Sequence, residues 1–116
     1  MNIESILNTV ICGDSLEIMR QLPDKCIDLV LTDPPYGITQ NDWDIIPNLS
    51  ELWSESWRVL KDNGAIVATS QQPFTTDLIN TDRENFKYDL IWYKPLATGF
   101  LNANKMPLRN HEVILV

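Results

Sequence analysis

Short, continuous apolar runs of strand length recur along the chain. They cover residues 9–12, 27–32, 65–69, 88–93 and 112–116. Continuous aliphatic runs bounded by turn residues are typical of strands that are buried on both faces. Pro34 and Pro35 end the second run, because proline cannot donate to a strand ladder. The pattern therefore predicts five strands.

Between these runs, apolar positions recur at the three- and four-residue spacing of an amphipathic helix. This spacing is found in residues 15–22, in residues 49–60 and in a segment that starts at Pro73. Asn48, followed three residues later by an acid, predicts the N-cap of the second helix. Gly64 predicts its C-terminal stop. The pattern thus places a helix between most successive strands.

Strands that alternate with helices predict an α/β fold. We expect a Rossmann-like, mostly parallel and doubly wound sheet with helices on both faces, in one domain that spans residues 1–116. The length of 116 residues and the hydrophobic content of 44% suit one compact core. The last connection, within residues 94–110, is a long loop without a helical pattern. Ligands of such sheets bind beyond the carboxyl ends of the strands, which directs the search for a site to those positions.

The charge pattern by itself argues against extensive contact with nucleic acid. The net charge is −7, whereas phosphate contacts need clustered Lys and Arg. The charge is uneven, however, and the C-terminal third carries more bases than acids. The bases that we single out as candidate phosphate contacts are Lys94, Lys105 and Arg109. The alternative interpretation is an ordinary solvated surface.

Composition also restricts location and metal chemistry. No segment has the length and apolarity of a membrane span or the pattern of a secretory signal, so we expect a soluble, cytoplasmic protein without a membrane partner. Cys12 and Cys26 lack metal-ligand spacing and are expected to be buried free thiols. His111 has no ligand spacing and is assigned to packing. The sequence predicts no metal site.

The strongest candidate for chemistry is the segment Asp33-Pro34-Pro35-Tyr36, which directly follows the strand predicted at residues 27–32. Two successive prolines fix two φ angles and remove two backbone donors, which leaves a rigid run of acceptors. The carboxylate of Asp33 and the carbonyl of Pro34 could each accept one N–H of a planar amino-bearing ring, while Tyr36 stacks on the ring face. The alternative is a turn with a packed tyrosine.

This sequence resembles the amino-methylating DNA methyltransferases, whose catalytic motif is (D/N/S)PP(Y/F/W) at the end of a central strand. The similarity extends over GDSLEIMRQLPDKCIDLVLTDPPYG, RVLKDNGAIVATS, LIWYKP and NHEVILV, which together span most of the chain. The resemblance implies transfer of a methyl group from S-adenosyl-L-methionine to an exocyclic amino group of DNA. Asp at the first motif position favours adenine over cytosine by family tendency. Asp33, Pro34, Pro35 and Tyr36 are then the catalytic residues.

The sequence departs from this family in its cofactor motif. Its only glycines are Gly13, Gly37, Gly64 and Gly99, so a glycine-rich element is absent. In the circularly permuted β order of motifs, that element follows the segment seen here, so we expect an incomplete, partial catalytic domain. Asp14 and Asp33 are the residues left to contact the cofactor, and Asp14 is equally well placed to cap the following helix.

Two consequences of an incomplete domain are left open. The chain could act as an enzyme with a complementary cofactor-binding half, or it could be a non-catalytic remnant or an interaction subunit.

The predicted strand at residues 9–12 would lack its neighbours. It could pair directly with residues 27–32, be completed by a second copy in a homo-oligomer, or be completed by residues outside the chain.

The tryptophans offer a second interpretation, in which they stack on nucleic acid. Trp53 and Trp57 lie on the apolar stripe of the predicted second helix, and Trp92 lies within a predicted strand. We therefore assign these three to the core. Trp43, close to the motif, is left undecided.

Overall fold

The computed structural model describes residues 1–37, 41, 42, 44–98 and 109–116. Short 3₁₀ segments at Ile3–Ile6 and Arg83–Asn85 accompany three helices and four strands. In chain order these are α1 (Ser15–Arg20), β1 (Ile27–Thr32), α2 (Leu49–Val59), β2 (Leu60–Ser70), α3 (Phe74–Thr81), β3 (Asp89–Thr98) and β4 (Arg109–Leu115). None of the helices in these ranges is long and apolar enough to cross a membrane.

The four strands form one sheet in the order β1-β2-β4-β3. β1 and β2 pair in parallel, whereas β4 pairs antiparallel to both β2 and β3. The α/β class is therefore confirmed, and three of the four strands run in one direction. The expected parallel pairing holds for β1 and β2 alone, since the reversed strand β4 lies between β2 and β3. Antiparallel strands need no crossover helix, which agrees with the lack of a helical pattern after β3.

Helix α2 starts where the sequence predicts but ends earlier. Asn48 caps it, with its side chain accepting a hydrogen bond from the backbone N–H of Glu51 at 3.1 Å. The helix ends at Val59, so the predicted stop at Gly64 is wrong. Gly64 lies within β2, where a Cβ atom would stand 2.8 Å from the carbonyl oxygen of Asp28 in β1. This glycine is needed for the close approach of two strands, and a backbone contact of that kind leaves no trace in local sequence.

The core lies on one face of the sheet. Ala68 of β2 and Leu115 of β4 are buried there against Phe74 and Leu78 of α3, and Trp53 of α2 packs at the edge of this cluster. Side chains alternate between the faces of a strand. The neighbouring position Val67 therefore faces the other side, together with its β1 partner Leu31.

That second face is open at β1. Leu29 and Leu31 are 50% and 69% exposed, so within the described residues no helix covers them. The expected helical layer on both faces is thus not found at this strand. The edge of β1 opposite β2 also has no strand partner in the described part of the chain.

The predicted first strand is wrong. Residues 9–12 form no strand, and Val10 is fully exposed. Cys12 is likewise exposed rather than buried, whereas Cys26 is half-buried. An apolar run becomes a strand only when a neighbouring strand satisfies its backbone N–H and C=O groups. The segment does not pair with β1, which removes the first of the three outcomes considered for it.

Candidate active site

The motif Asp33-Pro34-Pro35-Tyr36 begins immediately after Thr32, the last residue of β1. The register of the parallel pair places Thr32 beside Ala68, so the next residues along the two strands, Asp33 and Thr69, come together at the same edge. Pro34 is buried and Asp33 is exposed. The motif therefore lies at the carboxyl end of a parallel strand pair, as the sequence predicts, with its carboxylate open to solvent.

The hydroxyls of Thr69 and Tyr36 both lie within hydrogen-bond distance of one carboxylate oxygen of Asp33. The hydroxyl of Thr69 donates a hydrogen bond to Oδ1 of Asp33. The phenol oxygen of Tyr36 lies 2.9 Å from the same Oδ1 and 2.7 Å from Oγ1 of Thr69. The phenol has one proton, so it donates to one of these two acceptors at a time. Within the described residues, Oδ2 of Asp33 makes no hydrogen bond and stays available as an acceptor.

Tyr36 is held on its other side by the core. Its ring stacks on that of Phe74 at the start of α3, with centroids 5.4 Å apart and an angle of 23° between the planes. Burial raises the pKa of the Tyr36 phenol well above its ordinary value; Asp33 acts in the same direction, and the hydrogen bond with Thr69 opposes it. At neutral pH the phenol is therefore a hydrogen-bond donor.

Gly37 directly follows the motif and forms a turn, a role that the sequence analysis does not predict. Gly37 has a φ of +70°, a conformation that glycine adopts without strain, and a Cβ atom here would lie 2.9 Å from the side chain of Ile46. Its backbone N–H donates to Oδ1 of Asp44 at 2.8 Å, and Asp44 is only 8% exposed. These contacts fix the direction in which the chain leaves the motif.

Asp14 caps helix α1. Its Oδ1 accepts a hydrogen bond from the backbone N–H of Glu17 at 3.0 Å, which confirms the capping interpretation. The residue is exposed. A contact with the cofactor, which is compatible with capping, stays a prediction.

The three candidate phosphate contacts have different outcomes. Lys94 forms an ion pair with Glu112 at 3.0 Å and lies 4.6 Å above the ring of Trp92. The Glu112 side chain is only 12% exposed, so Lys94 neutralises a carboxylate that is largely withdrawn from water. Lys105 lies outside the described residues. Arg109 begins β4, but its side chain is not among those described.

The assignment of tryptophans to the core holds for one of three. Trp53 packs against the core cluster. Trp57 is 39% exposed, and its Nε1 donates to Asp82 at 2.6 Å, while Trp92 is 44% exposed under Lys94. The assignment to the core is wrong for Trp57 and Trp92. For Trp92 the reason is that its side of the sheet is open. Trp43 lies outside the described residues.

Comparison with known proteins identifies the family. The model of a DNA methylase family matches residues 27–116, which include β1, the motif and every later strand. The chain therefore belongs to this family of N6- and N4-directed, S-adenosylmethionine-dependent methyltransferases.

The chain is similar in sequence to an adenine methyltransferase and in fold to a cytosine-N4 methyltransferase. The chain is 31% identical over 101 residues to the DNA adenine methyltransferase YhdJ of Escherichia coli strain K12, which covers 72% of the chain and 32% of that protein. The TTHA0409 protein of Thermus thermophilus, complexed with S-adenosyl-L-methionine, is 23% identical with a TM-score of 0.64, over 89% of the chain and 52% of its own. The cytosine-N4-specific PvuII DNA methyltransferase is 17% identical with a TM-score of 0.67, over 89% and 46%. The two structural matches show a shared fold.

The match covers 24%, 32% and 34% of the lengths of three curated relatives: the HinfI methyltransferase of Haemophilus influenzae, YhdJ, and the BglII methyltransferase of Bacillus subtilis. Asp14 and Asp33, which the sequence predicts to contact the cofactor, are both exposed, and the described residues include no glycine-rich loop. They do not build a complete site for S-adenosylmethionine. Within the same ranges, no group of His, Cys, Asp or Glu residues could hold a metal ion.

Proposed function

We propose that this chain supplies the target-base site of a DNA methyltransferase that modifies the exocyclic amino group of adenine. The observation that carries the proposal is the Asp33 carboxylate, fixed through one oxygen and open at the other, at the carboxyl end of β1. S-adenosylmethionine is the methyl donor of this family. The chain would contribute the groups that bind and activate the amino nitrogen.

Activation of the nitrogen is the chemical problem that these groups would solve. The lone pair of an exocyclic amino group is delocalised into the base, which makes the nitrogen a poor nucleophile. Asp33 Oδ2 and the carbonyl of Pro34 would each accept one amino N–H. Acceptors placed in this way draw the nitrogen toward tetrahedral geometry and stabilise the positive charge that develops on it.

Access to the base requires that it leave the helical stack, because the amino nitrogen cannot be approached in line inside a duplex. In our proposal Tyr36 lies beside the extruded base, and Pro35 forms part of the rigid surface that the base contacts. Lys105, which lies between β3 and β4 in the sequence, and Arg109, the first residue of β4, are proposed as phosphate contacts. The ion pair with Glu112 weakens the case for Lys94 as a phosphate contact.

Two observations favour adenine as the target base. The motif begins with Asp, which resembles the adenine-directed members, and YhdJ is an adenine methyltransferase that shares 31% identity. Cytosine-N4 is the alternative, because its amino group presents the same chemistry and the PvuII enzyme shares the fold.

Analysis of methylated nucleosides tests the proposal. The chain would be produced together with a complementary cofactor-binding half, in a bacterial host without adenine-N6 or cytosine-N4 methylation of its own, and the DNA would be digested and analysed by mass spectrometry. We expect N6-methyladenine with the parental chain and none with Asp33→Ala. N4-methylcytosine would overturn the choice of base. Absence of both products, with the parental chain folded and present, would favour the non-catalytic interaction subunit or remnant.

A further inference from the structure

Thr69 stands out because no sequence pattern singles it out, whereas the fold places it directly on Asp33. It lies near the end of β2, where it pairs with Ile114 of β4. β2 is flanked by β1 on one side and β4 on the other, so the backbone of Thr69 is fixed by the centre of the sheet. Its hydroxyl donates to Oδ1 of Asp33.

We propose that Thr69 is a positioning residue, which holds Oδ1 of Asp33 so that Oδ2 is the oxygen presented to the target amino group. This inference rests on the proposed function for the role of Oδ2. The hydrogen bond from Thr69 that holds the Asp33 carboxylate is a property of the folded chain. Its effect on Asp33 can be measured without DNA or cofactor.

An exposed aspartate without such a contact would not keep one geometry. Its χ1 torsion has three staggered wells, and its terminal χ2 torsion is broad. A hydrogen bond from a residue in the sheet selects one of these arrangements before the substrate binds. Misplacement of a reacting group by about 1 Å can cost about 10²-fold in rate, so the selection matters for catalysis.

Thr69 also explains how Tyr36 takes part. A threonine hydroxyl can donate one hydrogen bond while it accepts another. The phenol proton can therefore go to Oγ1 of Thr69, 2.7 Å away, while the threonine proton goes to Asp33. In this arrangement the phenol orients Thr69, and Thr69 orients the carboxylate. Removal of the Thr69 hydroxyl breaks both links and leaves the Tyr36 phenol, 2.9 Å from Oδ1 of Asp33, as the one described donor to that oxygen. Serine keeps both links.

Nuclear magnetic resonance of the 116-residue chain tests the hold directly. The three-bond couplings between Hα and the Hβ protons of Asp33 report whether χ1 occupies one rotamer. We expect one rotamer in the parental chain, in Thr69→Ser and in Tyr36→Phe. Averaged couplings are expected in Thr69→Val combined with Tyr36→Phe, which removes both hydroxyls that reach Oδ1 of Asp33. Thr81→Val, which removes an exposed hydroxyl that donates to the carbonyl of Asp77 in α3, is the matched control and should leave Asp33 unchanged.

Two results would overturn the positioning role. One is an averaged Asp33 side chain in the parental chain, which decides the matter even if the valine variant fails to fold. The other is averaging of Asp33 in Tyr36→Phe to the same extent as in the folded double variant, which would assign the hold to Tyr36 instead of Thr69. Folding is judged from amide dispersion.

The methylation assay supplies the second readout. Thr69→Val should lower kcat by about 10²-fold with an unchanged KM for DNA, and Thr69→Ser should restore most of the rate. Equal loss in both variants would contradict the need for the hydroxyl. If the parental chain methylates nothing, the proposed function fails, while the Asp33 couplings still decide whether Thr69 holds the carboxylate.

Discussion

The ring of Tyr36 stacks on the ring of Phe74, with 5.4 Å between the centroids. Phe74 is the first residue of α3 and is only 1% exposed. The stack therefore joins the motif, at the end of β1, to the best-buried part of the core. The geometry of the candidate site and the stability of the fold depend on the same contact.

Phe74→Ala should destabilise the chain by about 3–5 kcal/mol, because it removes a buried aromatic ring and leaves a cavity. Urea unfolding followed by tryptophan fluorescence measures the free energy. Leu96→Ala is the control, since Leu96 is 80% exposed and its truncation should change the free energy by less than about 0.5 kcal/mol. Similar stability of the two variants would show that Phe74 is not a core residue.

Tyr36→Phe should retain more methyl transfer than Tyr36→Ala. The phenylalanine keeps the stack on Phe74, and Thr69 still donates to Asp33 in that variant. The alanine loses the ring as well as the hydroxyl. Initial rates with labelled S-adenosylmethionine establish the order, and equal loss in the two variants would assign the whole contribution of Tyr36 to its hydroxyl.

In an assembly that contains the cofactor-binding half, Asp33→Ala should abolish methyl transfer while DNA binding stays largely intact. The carboxylate is assigned to one amino group, whereas affinity for DNA comes mainly from phosphate contacts. Transfer of labelled methyl groups and a gel-shift titration measure the two properties. Asp62→Ala, which removes an exposed carboxylate paired with Lys25, is the control and should be active. Near-parental transfer by the Asp33 variant would refute the catalytic assignment.

The raised pKa of Tyr36 predicts a loss of stability in alkali. The folded chain keeps the phenol proton at pH values where the unfolded chain, with an ordinary tyrosine pKa of about 10, loses it. This contribution to the free energy of unfolding is therefore complete below about pH 10 and is lost as the pH rises further. Urea unfolding across this range should show a shallower decline for Tyr36→Phe. Parallel declines would mean that the phenol titrates normally.

The open edge and face of β1 predict self-association. Among the described strands none pairs with this edge of β1, and an unpaired edge beside exposed Leu29 and Leu31 is a template for pairing with another chain. Sedimentation velocity at micromolar concentration should show species larger than a monomer, and Leu31→Lys should reduce them. Ile45→Lys is the control, because Ile45 is 73% exposed but lies outside the sheet. A stable parental monomer would exclude a second copy as the partner of this edge.

Features that depend on residues close together in the chain could be predicted from the amino-acid sequence. The caps at Asp14 and Asn48, the apolar period of α2 and the placement of Asp33-Pro34-Pro35-Tyr36 after β1 all follow from spacing along a few residues. Local patterns of this kind carry their own hydrogen-bonding and burial requirements, so they predict structure before any long-range contact is known.

Features that depend on which strands pair could not be predicted in this way and emerge from the folded chain. Thr69 meets Asp33 because β1 and β2 pair in one register, and Gly64 is required because the same pairing brings it against Asp28. Residues 9–12 are as apolar as a strand, yet they form none, because no neighbouring strand satisfies their backbone groups. Strand pairing is a contact between distant parts of the chain, and a pattern within one segment does not specify it.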